Sequence, residues 1–328
     1  MIGDRSRRGV DVRLRAGAPL FAAVMLVVAA CGGGDPSAVP ATNQPVASAT
    51  SKPGASEAPE GGLADQTFAV GEHFWHSGFR VEVEDGEILS TTAALTGKVT
   101  TTLTLAATLE NLGVDTGFFG PSVAIVTNNN SYPAGVTSND IPNVPGGLKS
   151  QATFGFRIDE DFDLASAELV IGDADENQAR IPLSGSGEAV RLQPSEPDIA
   201  GTLSMDLVDL VITSAALQYD NLDRHQEIDK GKQALVLNFD VVNRKSGNWS
   251  LFAKDLALIM PDGTASPPEG ADLGSVPGTD EGVTTAGKSA WFLVDEMPAG
   301  AYTLRFTPGS WFVGADGVTE AAVDFTIE

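Results

Sequence analysis

Apolar and polar residues alternate with a period of two along several short runs of this chain. The clearest runs are 79–83, 103–109 and 235–241. In each run an apolar residue occupies every second position, and most residues between are threonine, asparagine or charged. Alternation of this kind is typical of strands with one buried face. Turn residues separate the runs, and no amphipathic stretch of helical length lies between them. The pattern predicts an all-β protein.

The strand pattern occurs twice. The run at 103–111 returns at 235–243, 132 residues later, and both runs end in asparagine. Two further pairs of segments match at similar offsets: 123–126 with 256–259, and 156–160 with 292–296. A repeat of this length indicates a duplicated domain rather than a solenoid unit. We expect one domain at 66–192 and a second at 198–328, joined by the short linker 193–197.

The order of segments within each copy resembles a known family. Each copy places about seven short strands in roughly 125 residues, as an immunoglobulin-like sandwich does. In the second copy, the strand at 235–243 precedes an apolar segment and turn at 258–264. This order is similar to the immunoglobulin-like domains of unknown function on bacterial, especially actinobacterial, lipoproteins, and to the fold type of secreted mycobacterial immunogenic antigens. The resemblance implies two tandem immunoglobulin-like β-sandwiches in an extracytoplasmic place, and it supplies no catalytic residues.

The N-terminal 31 residues have the features of an export signal. Five arginines precede an apolar run over 16–30, and Cys31, the single cysteine, follows it. A basic flank, a short apolar segment and a small-residue cleavage site are typical of a secretory signal. The ending Val28-Ala29-Ala30-Cys31 resembles a bacterial lipobox. That resemblance implies cleavage between Ala30 and Cys31 and a diacylglyceryl anchor on the thiol, usually with an acyl group on the new amine.

Two observations refine this prediction. The apolar run is shorter than the roughly 20 residues that span a bilayer, so a permanent membrane span is the weaker alternative. The segment that follows, 31–65, is rich in glycine, alanine, proline, serine and threonine. Such a composition predicts a disordered linker, because it buries too little apolar area to offset its ordering entropy.

The charge of the chain restricts its partners. There are 44 acidic and 20 basic residues, for a formal net charge of −24, and the mature chain without residues 1–30 carries −27. Affinity for phosphate requires clusters of lysine or arginine, and none is present. The sequence therefore predicts no nucleic-acid partner. Solubility is the simplest reason for the charge, with cation binding or a basic partner as alternatives.

Residues that could carry chemistry are few. His73 and His76 are three positions apart and lack a third ligand nearby, so we expect an ordinary turn with a packed Trp75 rather than a metal site. The acidic runs at 159–163, 173–176 and 220–223 lack the glycine spacing of a calcium loop and are expected to be solvated. The chain has no Gly-x-Ser-x-Gly nucleophile elbow. We predict no catalytic residue, metal or cofactor.

Two long segments between predicted strands, 128–147 and 261–287, lie at equivalent places in the two copies. Loops of this length are often functional. We therefore take four residues in them as candidate binding residues: Tyr132, Asp140, Asp262 and Asp280. The four tryptophans are expected to fill the cores.

The sequence predicts a lipoprotein on the outer face of the cell membrane, held there through Cys31. Its function is expected to be non-catalytic binding or scaffolding, with an envelope protein or a cell-wall component as partner. An alternative is an accessory ligand-binding lipoprotein of an envelope transporter or of the wall-building machinery, which would use a groove near 194–197. An enzyme without a recognisable motif is the remaining alternative.

Overall fold

The computed structural model describes residues 61–328 except 129, 136–138, 222–225, 296–298, 310–318 and 328. All described residues belong to one compact unit. The predicted signal, Cys31 and most of the predicted linker lie outside the described residues. The last residues of that linker already contact the fold: Leu63 O accepts a hydrogen bond from Ser90 Oγ, and Asp65 Oδ1 accepts one from Ser90 N. Ordered structure therefore begins before residue 66.

The described part of the chain is all-β, as predicted. It contains 23 strands, the two short 3-10 turns Leu164–Ser166 and Ala253–Asp255, and no α-helix. Ten strands belong to the first copy: β1 Gln66–His76, β2 Phe79–Thr92, β3 Val99–Asn111, β4 Gly117–Phe118, β5 Val123–Thr127, β6 Asn130–Pro133, β7 Asn143–Val144, β8 Lys149–Ile158, β9 Glu168–Ile171 and β10 Ala179–Pro182.

Thirteen strands belong to the second copy. The first eight are β11 Gly201–Met205, β12 Val208–Gln218, β13 Asp220–Asn221, β14 Gln226–Glu227, β15 Lys232–Asn243, β16 Trp249–Leu251, β17 Leu256–Ile259 and β18 Ala265–Ser266. The others are β19 Gly270–Asp272, β20 Gly274–Val276, β21 Val283–Asp295, β22 Gly300–Phe306 and β23 Ala321–Ile327.

The two copies have the same strand order. In the first copy, one antiparallel sheet has the order β1-β2-β3-β8, a second has the order β10-β9-β5-β6, and β4 pairs with β7. In the second copy the corresponding sheets are β11-β12-β15-β21, extended by β19, then β23-β22-β17-β18, and the pair β16-β20. The hairpin β13-β14 has no counterpart in the first copy.

Each copy has its own hydrophobic core between its two sheets. The alternation in β3 places Leu103, Leu105, Ala107 and Leu109 in the first core with no exposed surface. Residues from the opposite sheet, such as Ile125, complete that core. The second core is a separate cluster that extends from Ile199 to Ile327. The residues of the first core precede the predicted linker 193–197, and those of the second core follow it.

Two expectations about local structure are wrong. The segment 73–76 is not a turn but the end of β1, where Phe74 and His76 are buried. The segments 128–147 and 261–287 are not long loops, because the first contains β6 and β7 and the second contains β18, β19, β20 and the start of β21. Pro133 is compatible with β6 because that strand is at the edge of its sheet, where a missing amide hydrogen is tolerated.

Candidate interaction surfaces

A buried asparagine organises the loops at one end of the first copy. Asn111 is at the end of β3, and its Nδ2 donates hydrogen bonds of 2.8 Å to the carbonyl oxygens of Asp115 and Val144. Its Oδ1 accepts a bond of 2.9 Å from Gly113 N. One side chain thus fixes the loop after β3 and joins it to β7.

The second copy repeats this arrangement atom for atom. Each partner lies 132 positions after its counterpart: Nδ2 of Asn243 donates to Gly247 O and Val276 O, and its Oδ1 accepts from Lys245 N. Gly146 and Gly278 also correspond, and a Cβ at either position would clash with the carbonyl of the neighbouring loop. The two copies therefore share one loop scaffold at this end.

On this scaffold the first copy exposes a cluster of apolar side chains, here called the apolar patch. Its members and their exposed fractions are Leu112 37%, Val114 84%, Phe118 53% and Leu148 56%. Backbone contacts place three of them at the same end of the copy, because Asn111 N donates to Leu148 O at 3.0 Å and Gly146 packs against Val114. Phe118 lies on β4, which pairs with β7. Exposed apolar side chains concentrated in one region of a soluble protein often mark a contact site.

Three of the four corresponding positions in the second copy are polar. Arg244 takes the place of Leu112, Ser246 the place of Val114, and Ser250 the place of Phe118. Arg244 is used there in an ion pair with Asp209 at 2.7 Å. At the fourth position both copies are apolar, since Val283 lies opposite Asn243 as Leu148 lies opposite Asn111. Three of the four apolar side chains are therefore not required by the shared scaffold.

A second feature at this end is a buried polar cluster, here called the junction cluster: His76, Ser77, Asp220 and Glu227. Ser77 and Gly78 form the tight turn between β1 and β2, both with positive φ, as such hairpins require. The carboxylates come from the β13-β14 hairpin of the second copy, which replaces the short turn 93–98 of the first.

The junction cluster connects the two copies through short contacts. Glu227 Oε1 accepts a hydrogen bond of 2.6 Å from Ser77 Oγ and lies 3.0 Å from His76 Nδ1. Gly78 N donates to Asp220 Oδ2. His76 Nε2 and Glu227 Oε2 are buried without a hydrogen-bond partner among the described residues. Gly172 leaves room for the ring, since a Cβ there would lie 2.6 Å from His76 Nε2.

Burial raises the pKa of one carboxyl group in this cluster, that of Asp220. Asp220 is only 4% exposed, and its burial, with a smaller contribution from the charge of Glu227, raises its pKa from 3.8 to about 6. The expectation that 220–223 is a solvated acidic run is therefore wrong for Asp220. The local sequence could not show this, because the covering residues are more than 140 positions away.

A neutral contact adjoins the junction cluster. Asn177 of the first copy donates from Nδ2 to the carbonyl oxygens of Ile228, Asp229 and Lys232, at 3.2, 3.3 and 2.9 Å. Its Oδ1 accepts a hydrogen bond of 3.0 Å from Gly231 N. Sequence analysis did not identify this residue, because an isolated asparagine in a polar segment gives no signal.

A shallow groove of about 480 Å³ lies over the β1 and β2 strands of the first copy. The ring of Phe68 covers Gly86, where any larger residue would clash with it, and the exposed Asp85 and Glu87 flank the ring. Strand β2 has a register shift at this point, between Val83 and Asp85. This groove lies on the first copy and does not include the segment 194–197 that the ligand-binding alternative would use.

The residues predicted from sequence are not brought together. Tyr132 is buried, and its hydroxyl donates a hydrogen bond of 2.7 Å to Asp159 Oδ1; burial, followed by that bond, raises its pKa to about 12. Tyr132 is therefore part of the core rather than a surface contact. Asp140, Asp262 and Asp280 are exposed, the first in one copy and the others in the second. A binding role for these three stays a prediction, and Ala30 and Cys31 lie outside the described residues.

The acidic runs serve the fold locally. Asp163 Oδ1 accepts a hydrogen bond from Ala165 N at the start of a 3-10 turn, and Glu176 Oε2 accepts one from Asp173 N. Within the described ranges, no group of three or more histidine, cysteine or acidic side chains is placed to hold a metal ion. Trp249 is buried in the second core as expected, whereas Trp75 and Trp291 are half-buried. Trp311 lies outside the described residues.

No family model matches this chain, and no curated protein matches its sequence. Across the part of the chain that the structure describes, no helix is long and apolar enough to cross a bilayer.

Proposed function

We propose that this protein is a lipid-anchored, non-catalytic binding module of the bacterial cell envelope. Cys31 would hold it on the outer face of the membrane, and two immunoglobulin-like sandwiches would form the folded part. The topology supports the second point. In the first copy the chain crosses between sheets from β3 to β5, from β6 to β8 and from β8 to β9, so each sheet pairs strands distant in sequence, as Greek-key sandwiches do.

The observation that carries the binding role is the apolar patch. The second copy folds with arginine and serine at these positions on the same scaffold. The fold therefore does not require the leucine, valine and phenylalanine of the first copy. Apolar side chains held in water lose the free energy that burial against a partner would recover, about 25 cal/mol per Å². The patch is therefore best explained as a contact surface.

The partner that fits this surface is an envelope protein with an apolar face. A chain with a net charge of −24 is repelled by nucleic acid and by anionic lipid, so association through the patch has to come from apolar burial. A basic rim on the partner would add electrostatic attraction and a faster association rate.

Site-specific photo-crosslinking in the intact, anchored protein tests this function. A photoreactive residue in place of Val114 should give one discrete adduct in the cell envelope. The same residue in place of Ser246, the matched position of the second copy, should give none. Equal adducts at both positions would overturn the assignment of the patch.

A variant that exchanges the patch for the residues of the second copy is the matched control. With the photoreactive residue at Leu148, the triple change Leu112→Arg, Val114→Ser and Phe118→Ser should abolish the adduct. Its thermal midpoint should stay within a few degrees of the parent, because surface substitutions usually cost less than about 0.5 kcal/mol each. An adduct that survives the triple change would show that the patch does not hold the partner.

A further inference from the structure

The β13-β14 hairpin places two carboxylates in a largely buried site: Asp220 is 4% exposed and the Glu227 side chain 7%. Asp220 and Glu227 come from the hairpin, and the end of β1 contributes His76 opposite them. The 173–176 turn of the first copy is next to the site, but its acidic side chains are exposed or half-exposed, and Lys232 pairs outward with Asp229 at 3.1 Å. Burial disfavours the charged form of Asp220, and the like charge of Glu227 adds to this; the bond from Gly78 N and the charge of His76 act in the opposite direction but do not outweigh burial, so the pKa of Asp220 is raised.

Proton uptake favours the docked arrangement. If the hairpin moves away from the first copy, water solvates Asp220 and its carboxyl titrates near the usual 3.8; when docked, its pKa is about 6. The contribution of Asp220 to docking is therefore complete below about pH 4 and is lost as the pH rises through about 6. A difference of two pKa units corresponds to a change of about 100-fold in the docking equilibrium.

We propose that the junction cluster is a proton-dependent clamp between the two copies. Protonation in mild acid locks the hairpin against the turn between β1 and β2, and deprotonation loosens it. The neutral contact of Asn177 does not titrate, so it remains as the pivot on which the hairpin loosens. This inference is independent of the proposed binding role of the apolar patch.

The clamp is connected to the loops beside it. Gly78 donates its amide to Asp220 and accepts a hydrogen bond of 2.9 Å at its carbonyl from Leu112 N. Gly78 thus links the carboxyl group of Asp220 in the second copy to the loop after β3 in the first copy. Loosening of the clamp is expected to increase the mobility of that loop.

Nuclear magnetic resonance on the full chain carrying Cys31→Ser tests the clamp. The amide of Gly78 should titrate with a midpoint near pH 6, because its acceptor gains a proton there. Residual dipolar couplings should report one fixed orientation of the two copies at pH 4.5 and partial averaging at pH 8. Asp220→Asn keeps an acceptor for Gly78 but cannot titrate, so its couplings should not change with pH.

Two further variants separate the clamp from simple loss of contact. Asn177→Ala should increase averaging at both pH values equally, since it removes a neutral contact. Glu227→Gln should reduce the pH dependence and lower the midpoint at Gly78, because it removes the like charge next to Asp220. The proposal is overturned if the couplings of the parent chain are the same at pH 4.5 and pH 8, or if Asp220→Asn shows the parent's pH dependence.

Discussion

At the scale of single residues, Asn111 and Asn243 have the same role in the two copies. Each is fully buried and makes three hydrogen bonds to backbone atoms of the adjacent loops. We expect Asn111→Ala and Asn243→Ala each to lower the free energy of unfolding by about 3 kcal/mol, because buried backbone groups lose their partners. Chemical denaturation monitored by circular dichroism measures this.

The half-buried Asn238, whose side-chain hydrogen bond is exposed, is the control for these two variants. Its Nδ2 donates to Ser214 Oγ at the surface, at 2.9 Å. Asn238→Ala should change the unfolding free energy by less than about 0.5 kcal/mol, as surface substitutions usually do. If all three variants were equally destabilised, the buried hydrogen bonds would not be the cause.

Sequence alone identified the apolar residues of the cores but not their polar partners. Alternation with a period of two placed Leu105 and Leu237 correctly, because a strand orients its side chains by position. Asp220 and Asn177 were missed, since their burial is created by the other copy rather than by their neighbours in sequence. Tyr132 was misplaced because the short strand β6 turns it inward.

At the scale of elements, the β13-β14 hairpin is the addition that distinguishes the second copy. Replacing 219–231 by the six-residue turn 93–98 of the first copy should leave both cores formed, because Ile228 is the one buried apolar residue among those that the structure describes in this segment. The contacts of Glu227 and Asn177 would be lost. Small-angle scattering should then show a larger radius of gyration, and calorimetry should resolve separate transitions for the two copies.

A matched variant keeps this test specific. The turn 261–264 belongs to the second copy, and its described hydrogen bonds are all within that copy. Shortening this turn is therefore the matched change. It should leave the radius of gyration unchanged. An unchanged radius after removal of the hairpin would mean that other contacts set the arrangement of the copies.

Short strands are the elements that sequence did not predict. Strands β4, β7 and β18 have two residues each, so a period of two has no length in which to appear. The pair β4-β7 lies against the loop that Asn111 holds in place, since Asn111 Nδ2 donates to Val144 O. The long strands β2, β3 and β15 have 12 to 14 residues and contain the alternating runs that predicted them. The first five residues of β21, which has 13, had been predicted as loop.

At the scale of the whole molecule, the proposed lipid anchor at Cys31 makes a direct prediction. Cys31→Ser removes the thiol that the proposed lipid would occupy. Metabolic labelling with a fatty-acid analogue should mark the parent protein only, and the variant should be released or remain an uncut precursor. Equal labelling of parent and variant would exclude lipidation at this residue.

The polar nature of the junction has a consequence during synthesis. A chain generally completes its N-terminal domain first, and the hairpin follows the end of the first copy by about 35 residues, a delay of a few seconds at about 5–20 residues per second. During that interval the first copy presents His76, Ser77 and Asn177 rather than an apolar face. Water forms hydrogen bonds with these groups in the meantime, so the junction surface of the first copy does not promote aggregation before the second copy has folded.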